Sequence, residues 1–265
     1  MLPYPHIRPV IFSIGPLKVR WYGLMYVLGF SAAYYLVQRR IKRLGMKRLA
    51  ANFENLNFVL ILAVIIGGRL GYVLIYNLPY YLQHPLEILA TWHGGMSFHG
   101  ALLAVIIAGI IFCKKNELNF WQTADLYVVV APIGLGLGRL GNFINGELYG
   151  RVSTVPWAMV FPNGGPLPRH PSELYEMLLE GVLLFIILWR LQDRKMPSGF
   201  ILAFFLIFYG IFRIFVEFFR QPDPQIGFLF GFLTMGQLLS IIMILGGLVI
   251  MLCRRGREPL TTGRN

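Results

Sequence analysis

The residues best suited to chemistry lie in a glycine-rich stretch, GLGLGRLGNFINGELYG (134–150), which continues an apolar run. It carries one cation, Arg139, two amides, Asn142 and Asn145, and one carboxylate, Glu147. A guanidinium binds a phosphate through two parallel hydrogen bonds and is always charged. Glycines let neighbouring backbone approach a bulky polar group closely. The stretch therefore predicts a pocket for a phospholipid headgroup that opens on the outer leaflet.

The same stretch contains the pattern G-x-G-x-x-G at Gly136, Gly138 and Gly141, which is found in dinucleotide-binding loops. A dinucleotide site needs a preceding strand, a tight turn, a helix, and an acidic residue about 20 positions later. The surroundings here have the composition of a membrane helix instead. We therefore reject the dinucleotide interpretation.

Two more arginines, Arg69 and Arg213, also lie in apolar runs. A charged side chain at mid-membrane costs about 2.5–3.5 kcal/mol on insertion scales, so that each needs a partner or a function. Arg69 is expected to snorkel toward a headgroup or to bind one. Arg213 and Glu217 share a helix face at i, i+4 spacing, where they can pair or where Glu217 can orient Arg213 toward an anion. Glu147 is the other acid expected to neutralise an arginine.

A second polar motif, WHGGMSFHG (92–100), ends one connection and begins an apolar run. His99 is a candidate general base because an imidazole can take up a proton near neutral pH. The alternative is a histidine that is hydrogen-bonded to a helix end. Ser97 stands in G-x-S-x-H, which lacks the last glycine of the G-x-S-x-G nucleophile elbow and the strand before it, so the serine-hydrolase pattern is incomplete.

The segment PRHPSELYE (168–176) leads into the fifth apolar run. Ser172 is predicted to cap a helix there, and Arg169 and His170 could line a site from outside. Three glutamates follow, Glu173, Glu176 and Glu180, and capping accounts for part of this polarity.

Composition places these motifs in a membrane. Hydrophobic residues make up 56% of the 265, charged residues 14%, and the mean hydropathy is +0.62, whereas soluble domains are about 25% charged. The net charge of +12 comes from basic clusters between apolar runs rather than from a nucleic-acid-binding stripe. Cys113 and Cys253 do not form a metal-ligand pattern or a disulfide framework. No cleavable signal peptide is expected.

We therefore expect an all-α integral membrane protein with one polytopic domain over residues 1–265. Seven spans of roughly 20 residues are predicted: 21–38, 56–76, 97–113, 125–145, 174–190, 198–216 and 234–253. Basic residues concentrate in 39–48, 113–118, 190–199 and 253–265, which assigns those segments to the cytoplasm. The arm at 1–20 and the connections at 77–96 and 146–173 are then periplasmic, with a small cap, and the tail at 254–265 is cytoplasmic. The repeated GRLG (68–71 and 138–141) is interpreted as two small-residue helix contacts.

With these motifs in hand, the sequence resembles the bacterial prolipoprotein diacylglyceryl transferases. GRLGNFINGELYG (138–150) fits the family signature G-R-x-G-N-F-x-N-x-E-x-x-G throughout. Further similar segments follow in family order: WYGLMY (21–26), GGRLGYVLIYN (67–77), GGMSFHG (94–100), RHPSELYE (169–176) and YGIFRIFVEFFRQPD (209–223). The stretch HGALLA after Phe98 departs from the HGG of many members, and the outer segment between Phe161 and Pro168 is short.

The resemblance implies transfer of diacylglyceryl from phosphatidylglycerol to the thiol of a lipobox cysteine in a prolipoprotein, with release of glycerol phosphate. It places the enzyme in the bacterial inner membrane with its site toward the periplasm, and implies no metal or organic cofactor. We expect a monomer that meets membrane lipids and no nucleic acid. The expected catalytic residues are Arg139, Arg213 and His99. The expected headgroup-binding residues are Arg139, Tyr22, Asn142, Asn145, Glu147, Arg69, Tyr209, Glu217 and Arg220.

Two other functions fit the same residues less well. A lipid or anionic-solute transporter could line its pathway with these arginines, but transporters more often show long inverted repeats and broken helix pairs. A membrane hydrolase could use Ser97 and His99. Replacing Ser97 with alanine separates the hydrolase from the arginine mechanism.

Overall fold

Long helices dominate a computed structural model of the chain, which is 70% helical. The structure describes residues 2–5, 7–15, 17–90, 94–221, 228–229 and 233–256. The main helices are α1 (Trp21–Leu44), α2 (Lys47–Tyr76), α3 (Leu78–Gln83), α4 (Phe98–Lys115), α5 (Phe120–Asn145), α6 (Ser172–Glu176), α7 (Leu184–Leu191), α8 (Phe200–Glu217) and α9 (Met235–Arg254). A 3-10 helix (Pro85–Leu89) follows α3, and a π-helical segment (Met177–Leu183) joins α6 to α7.

The seven predicted spans coincide largely with helices, although the spans at 97–113, 198–216 and 234–253 begin one or two residues before α4, α8 and α9. Among the described residues, four helices are long and apolar enough to cross a membrane: α2, α5, α8 and α9. The count of seven spans and the orientation of the termini stay predictions. Two small antiparallel pairs, β1 (Val10–Ile14) with β2 (Leu17–Arg20) and β3 (Phe228–Leu229) with β4 (Leu233–Thr234), were not predicted.

The chain divides into two compact units. One comprises the described residues of 1–40 and 124–256, and the other those of 41–123. The prediction of a single domain stays a prediction. In the second unit α2 packs on α4, where a Cβ placed on Gly71 would lie 2.7 Å from the Cα of Gly100. Glycine at both positions lets the two backbones approach closely, as the first GRLG motif predicted.

The first unit is organised around the crossing of α5 with the π-helical segment. A Cβ on Gly181 would lie 2.7 Å from the Cα of Gly136, so only glycine allows this approach. The second GRLG motif also makes a close contact, since a Cβ on Gly141 would lie 2.6 Å from the Tyr22 ring. A buried apolar cluster also joins α5, α7 and α8. Its members are Val129, Leu184, Leu188 and Ile201. The crossing thus brings the polar face of 173–180 against α5.

Replacing Gly181 with alanine is expected to destabilise the protein by about 1–3 kcal/mol, because the added methyl group forces two helix backbones apart. The thermal unfolding midpoint in detergent should fall. Gly246 on α9 is the matched control, since its Cβ would meet nothing within 4 Å. Gly246→Ala should leave the midpoint unchanged or raise it, because alanine favours helix over glycine. Equal midpoints for both variants would contradict the close crossing.

Candidate active site

Six ionisable side chains form a charged cluster in the first unit. They come from α5, from the helix that begins at Ser172, and from the C-terminal end of α8: Arg139, Glu176, Glu180, Arg213, Glu217 and Arg220. Four of the six were predicted as site residues from sequence. The cluster therefore collects three arginines and three carboxylates from three helices within ion-pair distance of one another.

Glu176 is the carboxylate that connects the arginines. Its Oε2 atom lies 2.5 Å from Nε of Arg139 and 2.9 Å from Nη1 of Arg213, and its side chain is fully buried. Its Oε1 atom lies 3.9 Å from Nε of Arg220. A buried charge is tolerated only when it is paired, so Glu176 and the arginines depend on each other.

Arg213 is surrounded by carboxylates. Nη1 meets Glu176 and lies 3.8 Å from Oε1 of Glu180, while Nη2 lies 3.0 Å from Oε2 of Glu217. The pairing of Arg213 with Glu217 that the i, i+4 spacing predicted is therefore confirmed. Only 11% of the Arg213 side chain is exposed. Both ends of its guanidinium face acids of the protein.

Arg139 has a different environment. Only its Nε atom takes part in an ion pair, and the side chain is 22% exposed. Among the described residues, its two Nη atoms make no hydrogen bond or ion pair. Its outer edge thus presents two adjacent N–H donors, the arrangement that binds two oxygens of one phosphate. Gly138 beside it has open space, since a Cβ there would meet nothing within 4 Å.

A second polar group ends α5. The side-chain amides of Asn142 and Asn145 each donate to Oε1 of Glu147 over 3.0 Å. Gly146, with a φ of +66°, turns the chain so that Glu147 folds back onto the helix end. Oδ1 of Asn145 is buried and has no hydrogen-bond partner among the described residues. This oxygen can accept a hydrogen bond from a ligand hydroxyl.

Two predicted tyrosines lie on the helices that carry these groups. Tyr22 packs against Gly141, the residue before Asn142, and its hydroxyl is 3.2 Å from that of Tyr26. Tyr209 lies one turn before Arg213 on α8 and stacks on Phe205, with 5.7 Å between ring centroids. Both therefore belong to the unit that contains the charged cluster.

Arg69 belongs to the second unit and has its own partners. It donates to the backbone oxygens of Ile88 (2.8 Å), Gly94 (2.7 Å), Gly95 (3.1 Å) and Glu87 (2.5 Å). Its guanidinium carbon also lies 5.1 Å from the centroid of the Tyr81 ring. Most of its donors are thus used within the protein, and a headgroup contact by Arg69 stays a prediction.

Ser97 and His99 also belong to the second unit. Ser97 is the N-cap of α4, where its hydroxyl accepts the backbone N–H of Gly100 at 3.2 Å. This is a helix-capping role, for which serine is preferred. The backbone of His99 lies in the first turn of α4, but its side chain lies outside the described part of the structure. Its role as a base stays a prediction.

The segment before α6 makes several contacts within the protein, and the lining of a site by Arg169 and His170 stays a prediction. Arg169 donates to the backbone oxygens of Gly164 (2.9 Å) and Gly150 (3.3 Å), and Nδ1 of His170 lies 3.0 Å from the hydroxyl of Tyr175. Burial lowers the pKa of His170, which favours the neutral imidazole. The prediction that Ser172 caps the helix was wrong. Pro171 precedes the first turn, and the Ser172 hydroxyl donates to the oxygen of Leu148.

Sequence reasoning did not predict that Glu176 pairs with Arg139 and Arg213, or that Glu180 lies beside Arg213. It named Glu147 and Glu217 as the acids for the arginines, but Glu147 is bound by the two asparagines. A signal was present: Glu173, Glu176 and Glu180 are spaced by three and four positions, which places three carboxylates on one helix face. Such a face in an apolar segment requires cations opposite it.

Comparison with known proteins identifies the family of the chain. The family described as "Prolipoprotein diacylglyceryl transferase" matches residues 9–253. A phosphatidylglycerol–prolipoprotein diacylglyceryl transferase of Desulfotalea psychrophila is 63% identical, with 97% of each chain covered. A protein of the same name from Geobacter sulfurreducens is 54% identical over 97% of this chain and 100% of its own. One from Vibrio vulnificus is also 54% identical, over 94% of this chain and 92% of its own. The chain belongs to the prolipoprotein diacylglyceryl transferase family.

Proposed function

We propose that this protein transfers the diacylglyceryl group of phosphatidylglycerol to the lipobox cysteine of a prolipoprotein. The observation that carries the proposal is the open Nη edge of Arg139, a cation whose Nε is fixed by buried Glu176. A phospholipid with a single anionic phosphate fits that edge. The names of the relatives, 53–63% identical over nearly the whole chain, point to the same two substrates.

The reaction forms one bond and breaks one. The cysteine sulfur of the prolipoprotein attacks the glyceryl carbon that bears the phosphate, and a carbon–sulfur bond forms. The carbon–oxygen bond to the phosphate breaks, and glycerol phosphate leaves with the electron pair. Arg139 stabilises the charge that develops on the leaving phosphate, which is the most effective use of a fixed cation in a site. Arg213 adds positive charge from within the cluster.

The thiol must lose its proton, because the thiolate is the nucleophile and a free thiol has a pKa of about 8.5. We propose that His99, in the first turn of α4, accepts this proton. The nucleophile belongs to the substrate, so the protein needs no catalytic cysteine of its own. We propose that the polar group at the end of α5 binds the headgroup hydroxyls, one of which donates a hydrogen bond to Oδ1 of Asn145. Tyr22, Asn142, Glu147, Tyr209, Glu217 and Arg220 complete the proposed headgroup site.

The proposed setting is the bacterial inner membrane, crossed seven times. The N-terminus and the connections at 77–96 and 146–173 lie in the periplasm, and the tail lies in the cytoplasm. The clustering of Lys and Arg in alternate connections supports this orientation. The site then opens toward the periplasm, where the lipobox cysteine of an exported protein arrives. A monomer suffices for this chemistry.

The test is transfer in vitro. Purified protein is mixed with phosphatidylglycerol labelled in its acyl chains and with a lipobox peptide, and the control peptide carries serine in place of cysteine. Label should move to the cysteine peptide only, with equimolar release of glycerol phosphate. Movement of intact lipid without transfer would favour a transporter and would refute the proposal.

Ser97→Ala is expected to keep transfer within a few-fold of wild type. The substitution removes a helix cap worth about 1 kcal/mol, so the thermal midpoint should fall slightly. A hydrolase that used Ser97 as its nucleophile would lose turnover completely. Comparing initial transfer rates at saturating lipid for wild type and Ser97→Ala decides between the two, with Ser153→Ala in the 146–173 connection as the control.

A further inference from the structure

The stretch from Leu78 to Leu89, called here the surface segment, presents leucines outward. It consists of α3 and the 3-10 helix. Leu82, Leu86 and Leu89 are 73%, 84% and 74% exposed. Leu86 and Leu89 are three positions apart and share one face of the 3-10 helix, and Leu82 lies near the end of α3; the three exposed leucines together are called the leucine face. Soluble surfaces rarely group large apolar side chains at such exposure, so this face has a partner.

The opposite side of the surface segment is fixed to α2. Tyr81 is buried, with its ring against the guanidinium of Arg69 and 6.4 Å from the ring of Tyr72. Arg69 also holds the segment by the backbone oxygens of Glu87 and Ile88. The leucines therefore point outward because the other face is bound by hydrogen bonds and by ring contacts.

The partner is identified by what adjoins the leucines. The surface segment starts directly after α2, a candidate membrane span whose last residues, Ile75 and Tyr76, are exposed. The apolar surface of that span thus continues onto the segment. Tyr76 and Tyr80 stand at the junction, as tyrosines do where a membrane meets water. The only Asp, Glu, Lys or Arg between 77 and 90 is Glu87, whose carboxylate accepts the hydroxyl of Tyr80 at 2.7 Å.

We propose that the leucine face of the surface segment is seated in the headgroup–acyl boundary of the leaflet in which α2 ends, which is the outer leaflet in the proposed orientation, and that Arg69 is the clamp that holds it there. Arg69 also contacts the residues that precede α4. Arg69 binds the oxygens of Gly94 and Gly95, and the backbone N–H of Ser97 donates to the oxygen of Gly68, next to Arg69, at 2.8 Å. The depth of the segment in the lipid thereby sets the position of the first turn of α4. This inference does not rest on the transfer chemistry.

The depth of the surface segment in the membrane is measured with an environment-sensitive fluorophore attached to the cysteine of a Leu86→Cys variant. The background carries Cys253→Ser, since Cys253 is exposed, whereas Cys113 is buried. The protein is placed in vesicles of phosphatidylethanolamine and phosphatidylglycerol, and quenching by iodide and by nitroxide lipids is compared. Ile75→Cys serves as a lipid reference and Asn163→Cys as an exposed reference. The Leu86 label should resemble the Ile75 label and lie about 5–10 Å into the boundary region.

Two results would overturn the seating in lipid. One is iodide quenching at Leu86 as strong as at Asn163. The other is protection that develops only when a lipobox peptide is added, because that would make the face a peptide-binding surface. Neither readout requires a working transferase, so failure here is distinguishable from failure of the proposed function.

The clamp is tested by Arg69→Lys in the same labelled protein. Lysine keeps the charge but cannot donate in several fixed directions, so the Leu86 label should become more accessible to iodide. Arg190→Lys, at an exposed position, is the matched control and should change nothing. If Arg69→Lys yields no folded protein, Tyr81→Leu, which removes the ring that contacts the guanidinium of Arg69 and the rings of Tyr72 and Tyr80, is measured with the same expected shift. Unchanged depth in the folded variant would overturn the clamp.

Discussion

Arg139→Lys is expected to lower kcat/KM for phosphatidylglycerol by about 10²–10³-fold, the usual effect of losing one donor to a developing anion. Lysine keeps the positive charge but loses the planar fork. Its ammonium also cannot bind Glu176 through one edge while it presents two donors on the other, as Arg139 does. Initial rates of diacylglyceryl transfer at several lipid concentrations provide the measurement.

Arg190→Lys is the control for the same exchange. Arg190 is exposed in the last turn of α7 and is not part of the charged cluster. It should retain wild-type rates. Near wild-type activity of Arg139→Lys would show that positive charge alone is sufficient and that bidentate binding is not used.

Glu176→Gln is expected to lower kcat by about 10²-fold while KM for phosphatidylglycerol stays unchanged. The charged oxygen that touches both Arg139 and Arg213 is lost, so Arg139 loses its ion pair, while Arg213 keeps its pairs with Glu180 and Glu217 but is no longer linked to Arg139. Breaking a buried pair by removing one partner commonly costs about 3–5 kcal/mol, so the thermal midpoint should also fall. Because the headgroup still meets a cation, binding survives while its alignment for reaction does not.

A purely structural role for Glu176 would give a different pattern. Glu176→Asp restores the charge on a shorter side chain and should recover part of kcat, whereas a variant that is merely unstable would show reduced active protein with normal kcat per folded molecule. Glu117→Gln is the control, because Glu117 forms an exposed pair with Arg48 that is worth at most about 1 kcal/mol. A Glu176→Gln enzyme with wild-type kcat would contradict the role of Glu176 in alignment.

Much of the helical architecture could be predicted from the sequence, because apolar runs of membrane length leave the backbone few alternatives to helix. All seven predicted segments overlap helices over nearly their whole length. The π-helical segment at Met177–Leu183 could not be predicted. It contains Gly181, which closely approaches Gly136 of α5, and such a tertiary contact leaves no periodic signal in either segment. The two small strand pairs were missed for the same reason, since they are short and lie in connections.

The charged cluster was predicted in part. The intramembrane arginines were correctly identified as groups that need partners, because the cost of an isolated charge in lipid is independent of the fold. Which acid each arginine meets depends on how helices cross, and this is why Glu176 was overlooked while the local pair of Arg213 and Glu217 was found. Arg69 shows the same limit: the sequence indicated a polar partner, and the structure supplies backbone oxygens.

The central claim is that the phosphate held by Arg139 leaves with its bridging oxygen when sulfur attacks carbon. Phosphatidylglycerol is prepared with a heavy oxygen isotope in the bridge between the diacylglyceryl carbon and phosphorus. Mass spectrometry of the products after transfer to a lipobox peptide then locates the isotope. The account predicts the heavy oxygen in glycerol phosphate and none in the lipidated peptide. Heavy oxygen retained with the diacylglyceryl product would mean that the phosphorus–oxygen bond breaks, and it would contradict the account.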